Sequence, residues 1–142
     1  MTTCGLWPGQ RNLVAVAADD DGRFAGPAGK ANYSDEERWD LLSYIEGHHG
    51  LDCAFVVTEG FARADPIARI AVGRGARVWM IADNVVDDFR VLACNPNASP
   101  RQLSLLLARL PLCLPLRPKL KIMRLQLPLF APSANGAASP CR

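Results

Sequence analysis

The chain predicts an α/β domain with a small mixed sheet, and three observations carry that expectation. The apolar runs "LVAVAA" (13–18), "CAFVVT" (53–58) and "RVWMIA" (77–82) have the length and composition of buried strands. The last two are separated by a segment with its own helix start and glycine stop, and a helix on short connections is the crossover that parallel strands need. Asp21-Gly22, just after the first run, is a hairpin-turn dipeptide because both positions tolerate positive φ, so one antiparallel edge joins the parallel pair.

Taken in order, residues 1–12 read as an N-terminal arm, 13–95 as the α/β domain, 96–110 as an amphipathic helix and 111–142 as a basic, Leu/Pro-rich flexible tail. The strand 13–18 is followed by the turn at "DDDG" and a second strand at 23–25, then by a Gly/Pro-rich loop, "GPAGKANY". Ser34 with Glu37 three residues on forms a capping box that opens a helix to about Glu46, closed by Gly47 and Gly50. After the strand at 53–58, Asp65-Pro66 starts another helix, since a proline in the first turn forfeits only an amide without a helical partner. Gly73 and Gly75 stop it. The strand at 77–82 leads into a short helix from Asp83 to Leu92. Ser99-Pro100 then begin a helix whose apolar positions, 103, 106, 107 and 110, share one face. Beyond it, prolines at 111, 115, 118 and 128 remove backbone donors and bar a long helix or a central strand, so the tail is expected to be extended.

Charge divides the chain in two. All fourteen acids lie at or before Asp88; residues 1–100 hold nine cations against those fourteen acids, a net −5, whereas residues 101–142 carry seven cations and no acid. Arg101, Arg109, Arg117, Lys119, Lys121 and Arg124 therefore form a basic arm suited to DNA phosphates. The five cysteines (4, 53, 94, 113 and 141) contain no Cys-x-x-Cys pair, so neither a disulfide framework nor a zinc site is expected. No basic-then-apolar leader opens the sequence, and prolines break the leucine-rich tail before it reaches about 18 residues, so the reading is cytoplasmic with no membrane span.

Residues 55–93, "FVVTEGFARADPIARIAVGRGARVWMIADNVVDDFRVLA", resemble a segment of the DEDD-type insertion-sequence transposases, whose catalytic domain has a resolvase-like RNase H fold. Residues 13–50 resemble the preceding hairpin and helix. In that family a buried strand ends in a catalytic Glu, followed by Gly, a helix, Gly, a second buried strand and a helix containing Phe. Glu59, Gly60, Gly75, Val78–Ile81 and Phe89 take those places. The resemblance thus implies an RNase H-like fold and assigns Glu59 a catalytic role. It also implies an Asp inside the opening strand and two more beyond the matched segment. "LVAVAA" has no acid and none follows Asp88, so only Glu59 carries over, with Asp19 and Asp87 as substitutes if the fold brings them near. Phosphoryl transfer by two Mg²⁺ ions about 4 Å apart needs several converging carboxylates.

The tail contains "QLPLF", and Gln126, Leu127, Leu129 and Phe130 resemble the pentapeptide by which bacterial DNA-processing proteins bind the replication sliding clamp. A glutamine hydrogen-bonds at the groove edge while Leu and Phe fill an apolar pocket. These readings combine into an accessory or degenerate transposase-like protein of DNA transactions, with DNA and the clamp as partners and no cofactor. Two alternatives stand beside it. One is an active metal-dependent nuclease or transposase fragment using Mg²⁺, and the other a small α/β interaction module unrelated to DNA.

Overall fold

The structure, a computed structural model, describes residues 2–50, 52–93 and 97–124. It is an α/β sandwich around a six-stranded mixed sheet of order β3-β2-β1-β4-β5-β6. The strands are β1 (Thr3–Pro8), β2 (Leu13–Ala18), β3 (Gly29–Ala31), β4 (Ala54–Thr58), β5 (Arg77–Ile81) and β6 (Lys121–Ile122). The helices are α1 (Asp35–His49), α2 (Glu59–Ala64), α3 (Ile67–Gly73), α4 (Asp83–Ala93) and α5 (Pro100–Arg109).

The centre of the sheet comes from the segment expected to be an arm. β1 pairs antiparallel with β2 along its whole length, Thr3↔Ala18 to Pro8↔Leu13, and parallel with β4 from Thr3↔Ala54 to Gly5↔Val56. The hairpin partner of residues 13–18 is therefore β1, through a turn in which Gly9 N donates to Asn12 O at 3.0 Å. The expected partner, 23–25, makes only an isolated bridge between Ala18 and Phe24, with backbone bonds from Ala25 N to Ala17 O and from Asp19 N to Arg23 O. The Asp-Gly turn itself forms: Asp19 Oδ1 accepts from Asp21 N and Arg23 N, and Gly22 sits at φ 78°. The "GPAGKANY" loop instead supplies β3, three residues that pair with Leu13–Ala15.

Both faces of the sheet are covered, which is why every residue of β4 is buried. On one face, Leu41, Leu42 and Ile45 of α1 and Ile67, Ala68 and Ala71 of α3 pack on Leu6, Leu13, Phe55, Val57 and Val78. On the other, Val86 of α4 and Leu107 of α5 pack with Leu110 and Leu120 on Val56 and Ile81. The apolar positions of α5 expected from sequence, 103, 106, 107 and 110, are all buried. Ser99 caps α5 in a full capping box with Gln102. At α1, Ser34 Oγ accepts from Glu37 N, but the Glu37 carboxylate turns to Asn32 N and Nδ2 at 3.0 and 2.8 Å. α1 runs one turn beyond the expected end, to Gly50 at φ 91°.

α5 lies directly on β1 and β2. Ser104 Oγ stands between the two strands, donating to Gly5 O at 2.6 Å and accepting from Val16 N at 2.9 Å. Gly5 makes this approach possible, because a Cβ there would fall 1.9 Å from Ser104 O. The chain after α5, expected to be extended from 111, forms two short 3-10 turns, Leu110–Leu112 and Arg117–Lys119, and the edge strand β6 beside β5. Proline excludes a central strand but not these elements, and Leu110 and Leu120 anchor them in the core. No helix among the described residues is long and apolar enough to cross a membrane.

Candidate nucleic-acid interface

β1, β4 and β5 run in one direction, so Pro8, Thr58 and Ile81 end at the same rim of the sheet. β3 ends there too, since β1 and β3 are both antiparallel to β2. α1, α2 and α4 begin where β3, β4 and β5 stop. α5 arrives with its own first turn at that rim, where Pro100 lies 3.5 Å from the position of a Gly9 Cβ. Tyr33 OH, just before α1, donates to Gly9 O at 2.5 Å. Four helix N-termini and their partial positive charge thus face the end at which α/β sheets place ligands.

Glu59 is on this rim as the first residue of α2, positioned by Thr58, whose Oγ1 accepts from Phe61 N at 3.3 Å. Its carboxylate is 3.9 Å from Arg63 one turn on. Asp83, the first residue of α4, occupies the equivalent place after β5, and its Oδ1 accepts from Gly60 N at 2.8 Å. Gly60 permits that contact, since a Cβ would stand 2.5 Å from Asp83 Oδ2. Asp83 was absent from the expected site, although its place just past a buried strand matches that of Glu59. Asp87 lies one turn into α4, with its side chain 68% exposed and 3.8 Å from Arg90.

Asp19 falls at the opposite end of the sheet. It follows Ala18, which pairs with Thr3, and Thr3 pairs with Ala54 at the start of β4. At roughly 3.3 Å per residue, the length of β4 alone separates that level from Glu59 by about 16 Å, too far to share ions about 4 Å apart. Asp19 acts instead as the acceptor that closes the hairpin. The opening strand is β1, not residues 13–18, and it too has no acid. Toward the rim it carries Trp7, which packs against the Val56–Ile81 cluster with the Arg90 guanidinium 5.5 Å from its ring centre. Among the described residues, no three His, Cys, Asp or Glu side chains gather closely enough to hold a metal ion.

Two buried cysteines are chemically quiet. Burial pushes the Cys53 thiol up to about 12, and burial, then the proximity of Cys53, raises Cys4 well above the ordinary range. At pH 8 a thiol with a pKa near 12 is about 0.01% thiolate, and the thiolate is the nucleophile. Alkylation of the native protein at pH 8 should therefore label the half-exposed Cys113 and spare Cys4 and Cys53. Mass mapping of the label checks this, and early modification of Cys53 would contradict the packing described.

The basic residues expected to form one arm are spread over three places. Arg101 is in the first turn of α5, 5.2 Å from the Phe24 ring centre. Arg109, at the far end of α5, donates from Nε to Gly22 O at 2.6 Å and ties the Asp19–Gly22 turn to the helix. Arg117, Lys119, Lys121 and Arg124 follow the last 3-10 turn and β6 along the sheet edge. Gln126, Leu127, Leu129 and Phe130 lie outside the described residues. Two cations that the sequence reading passed over, Arg11 and Lys30, stand with Arg101 around one cleft at the β1–β2 turn.

No protein-family model matches the sequence, and no curated protein matches it. Among solved structures, the fold is similar to that of RuvC from T. thermophilus in complex with a Holliday junction substrate, at a TM-score of 0.56 and 14% identity over 87% of this chain and 99% of that one. The architecture is thus RuvC-like and RNase H-like, a likeness of fold.

Proposed function

We propose that this chain binds nucleic acid without cleaving it, as an accessory or degenerate transposase-like protein of DNA transactions. The RuvC-like fold supports the nucleic-acid half of this reading, because the similar RuvC chain was solved with a Holliday junction substrate. The observation that carries the non-cleaving half is the rim itself. Where the resemblance implies an Asp in the opening strand, β1 offers Trp7, while Glu59 faces Arg63 and Asp83 is held by the Gly60 amide. Carboxylates engaged in this way are poorly placed to converge on two cations. The basic residues of 101–124 and the pentapeptide at 126–130 fit the same reading, as contacts to DNA and to a sliding clamp.

Two measurements on the full chain test it. Fluorescence anisotropy with duplex and four-way-junction DNA is expected to show binding that weakens with salt, since neutralised phosphates release counterions. Incubation with Mg²⁺ or Mn²⁺ is expected to give no cleavage products and no appreciable rise in melting temperature, because a ligand stabilises only by binding the native state. Metal-dependent cleavage that disappears in Glu59→Ala would establish the nuclease reading in its place. A chain that binds neither DNA would leave the interaction-module reading.

A further inference from the structure

We infer that the cleft at the β1–β2 turn is a phosphate-ester site, and that it contacts the backbone of a nucleic-acid strand. This rests on the nucleic-acid reading above and goes beyond it by naming the residues that hold the phosphate. The cleft has a volume of about 510 Å³. Its floor is the Gly9–Asn12 turn and the start of β2, and its walls are the segment entering β3 and the first turn of α5. Arg11, Lys30 and Arg101 line it from these three segments, and no Asp or Glu does. Three cations are thus brought together from positions about 20 and 70 residues apart in sequence, with no acid among the lining residues to offset them.

Their partners, or lack of them, point the same way. Among the described residues neither the Arg11 nor the Lys30 side chain makes a hydrogen bond or ion pair, and the Arg101 guanidinium meets only the face of Phe24. Unpaired guanidinium and ammonium groups around a concave surface are what a phosphate ester needs, Arg supplying a two-pronged donor and Lys a point charge. Gln10 and Asn12 add amide groups at the floor, and Ser99 a hydroxyl at the wall. The neighbouring groove along α1 shares Lys30 and carries Glu37 and Asp40, so Arg11 and Arg101 contribute the larger part of the attraction. Gly9 keeps the turn at the floor tight against the first turn of α5, because a Cβ there would stand 2.7 Å from Asn12 O and 3.5 Å from Pro100. The cleft lies at the rim where α5 begins, on the β3 side of β1.

The test uses the full chain and the double variant Arg11→Ala/Lys30→Ala, with Arg117→Ala/Lys119→Ala as a charge-matched control at the other edge. Removed side chains without partners should leave the melting temperature within about 1 °C, which confirms folding. Anisotropy titrations of duplex DNA over a salt series should show the magnitude of the log–log salt slope reduced by about 1.8 in the cleft variant, at about 0.9 per lost phosphate contact. At low salt its affinity should fall at least tenfold, with a smaller loss in the control. If DNA binding is equal in wild type and cleft variant, but pyrophosphate or ATP raises the melting temperature of the wild type alone, the cleft takes a free phosphate ester and not a strand. If both DNA binding and phosphate stabilisation are the same in the two proteins, the cleft is not a phosphate site, even though DNA binding stands. Absence of DNA binding in the wild type tells instead against the function proposed above.

Discussion

Gly5→Ala is expected to cost on the order of 3–5 kcal/mol and to lower the melting temperature by roughly 10–20 °C. The new Cβ would lie 1.9 Å from Ser104 O and 2.9 Å from Leu107 Cβ, and the first of these is backbone that cannot rotate away. α5 must then lift from β1, and Ser104 Oγ loses the contacts that bridge Gly5 O and Val16 N. Buried polar groups left without a partner cost about 1–3 kcal/mol in addition to the overpacking. The intrinsic gain from replacing glycine in a strand, about 0.5–1 kcal/mol, acts in the opposite direction and is too small to offset this. Gly47 in α1 has nothing within 4 Å of its Cβ position, so Gly47→Ala is the control and should be neutral or stabilising. Thermal melts of the two variants decide the matter. Equal melting temperatures would mean that α5 does not sit on β1 as described.

Asp65→Ala is expected to destabilise by about 3–5 kcal/mol, as when one partner of a buried ion pair is removed. Arg38 donates from Nε to Oδ1 at 3.0 Å and from Nη2 to Oδ2 at 2.9 Å, and the two side chains are only 11% and 9% exposed. Hydrogen bonding to Asp65 raises the Arg38 pKa further, so the guanidinium stays charged and cannot escape its burial by losing a proton. Asp35 also reaches Arg38, at 3.0 Å, but its side chain is 88% exposed and in high dielectric it compensates little. Asp65 has a second task, since Oδ1 accepts from Ile67 N and starts α3. Denaturant melts of Asp65→Ala, Arg38→Met and the double variant Arg38→Met/Asp65→Leu provide the check. The double variant should recover much of the loss, because an apolar pair leaves no stranded charge. A double variant as unstable as the sum of the singles would show that the pair is not the source of the cost.

The sequence made legible those elements whose signals are local. Ser34 and Ser99 marked helix starts, Gly75 a helix end, and the apolar runs at 54–58 and 77–81 were strands in place. β1 was hidden because its defining residue, Gly5, answers to α5 some hundred positions away, and a strand of Cys, Gly and Pro looks like a loop until that helix is present. β3 is three residues of loop composition, held only by β2. α2 is a single short helix containing glycine, with Thr58 as its sole start signal. The α/β class and the RNase H-like fold were both readable, since they depend on the rhythm of strand and helix more than on the missed elements. For the site, a carboxylate directly after a buried strand pointed to Glu59, and the same rule applied to β5 finds Asp83. The grouping of Arg11, Lys30 and Arg101 was beyond reach, because it exists only once the β1–β2 turn, β3 and α5 have met.

The position of β1 also sets the order in which the chain can mature during synthesis. Its pairing with β2 is local and can form within microseconds of leaving the ribosome. Its other edge waits for residue 54, and its upper face waits for Ser104, 99 positions after Gly5. At about 5–20 residues per second, that interval is on the order of 5–20 s. For this time the nascent hairpin presents one unpaired strand edge and one uncovered apolar face to its surroundings, the condition in which strands pair with the wrong neighbour. Translation pausing before α5 emerges therefore prolongs the most aggregation-prone stage, and a chain ending short of residue 100 has no means of leaving it.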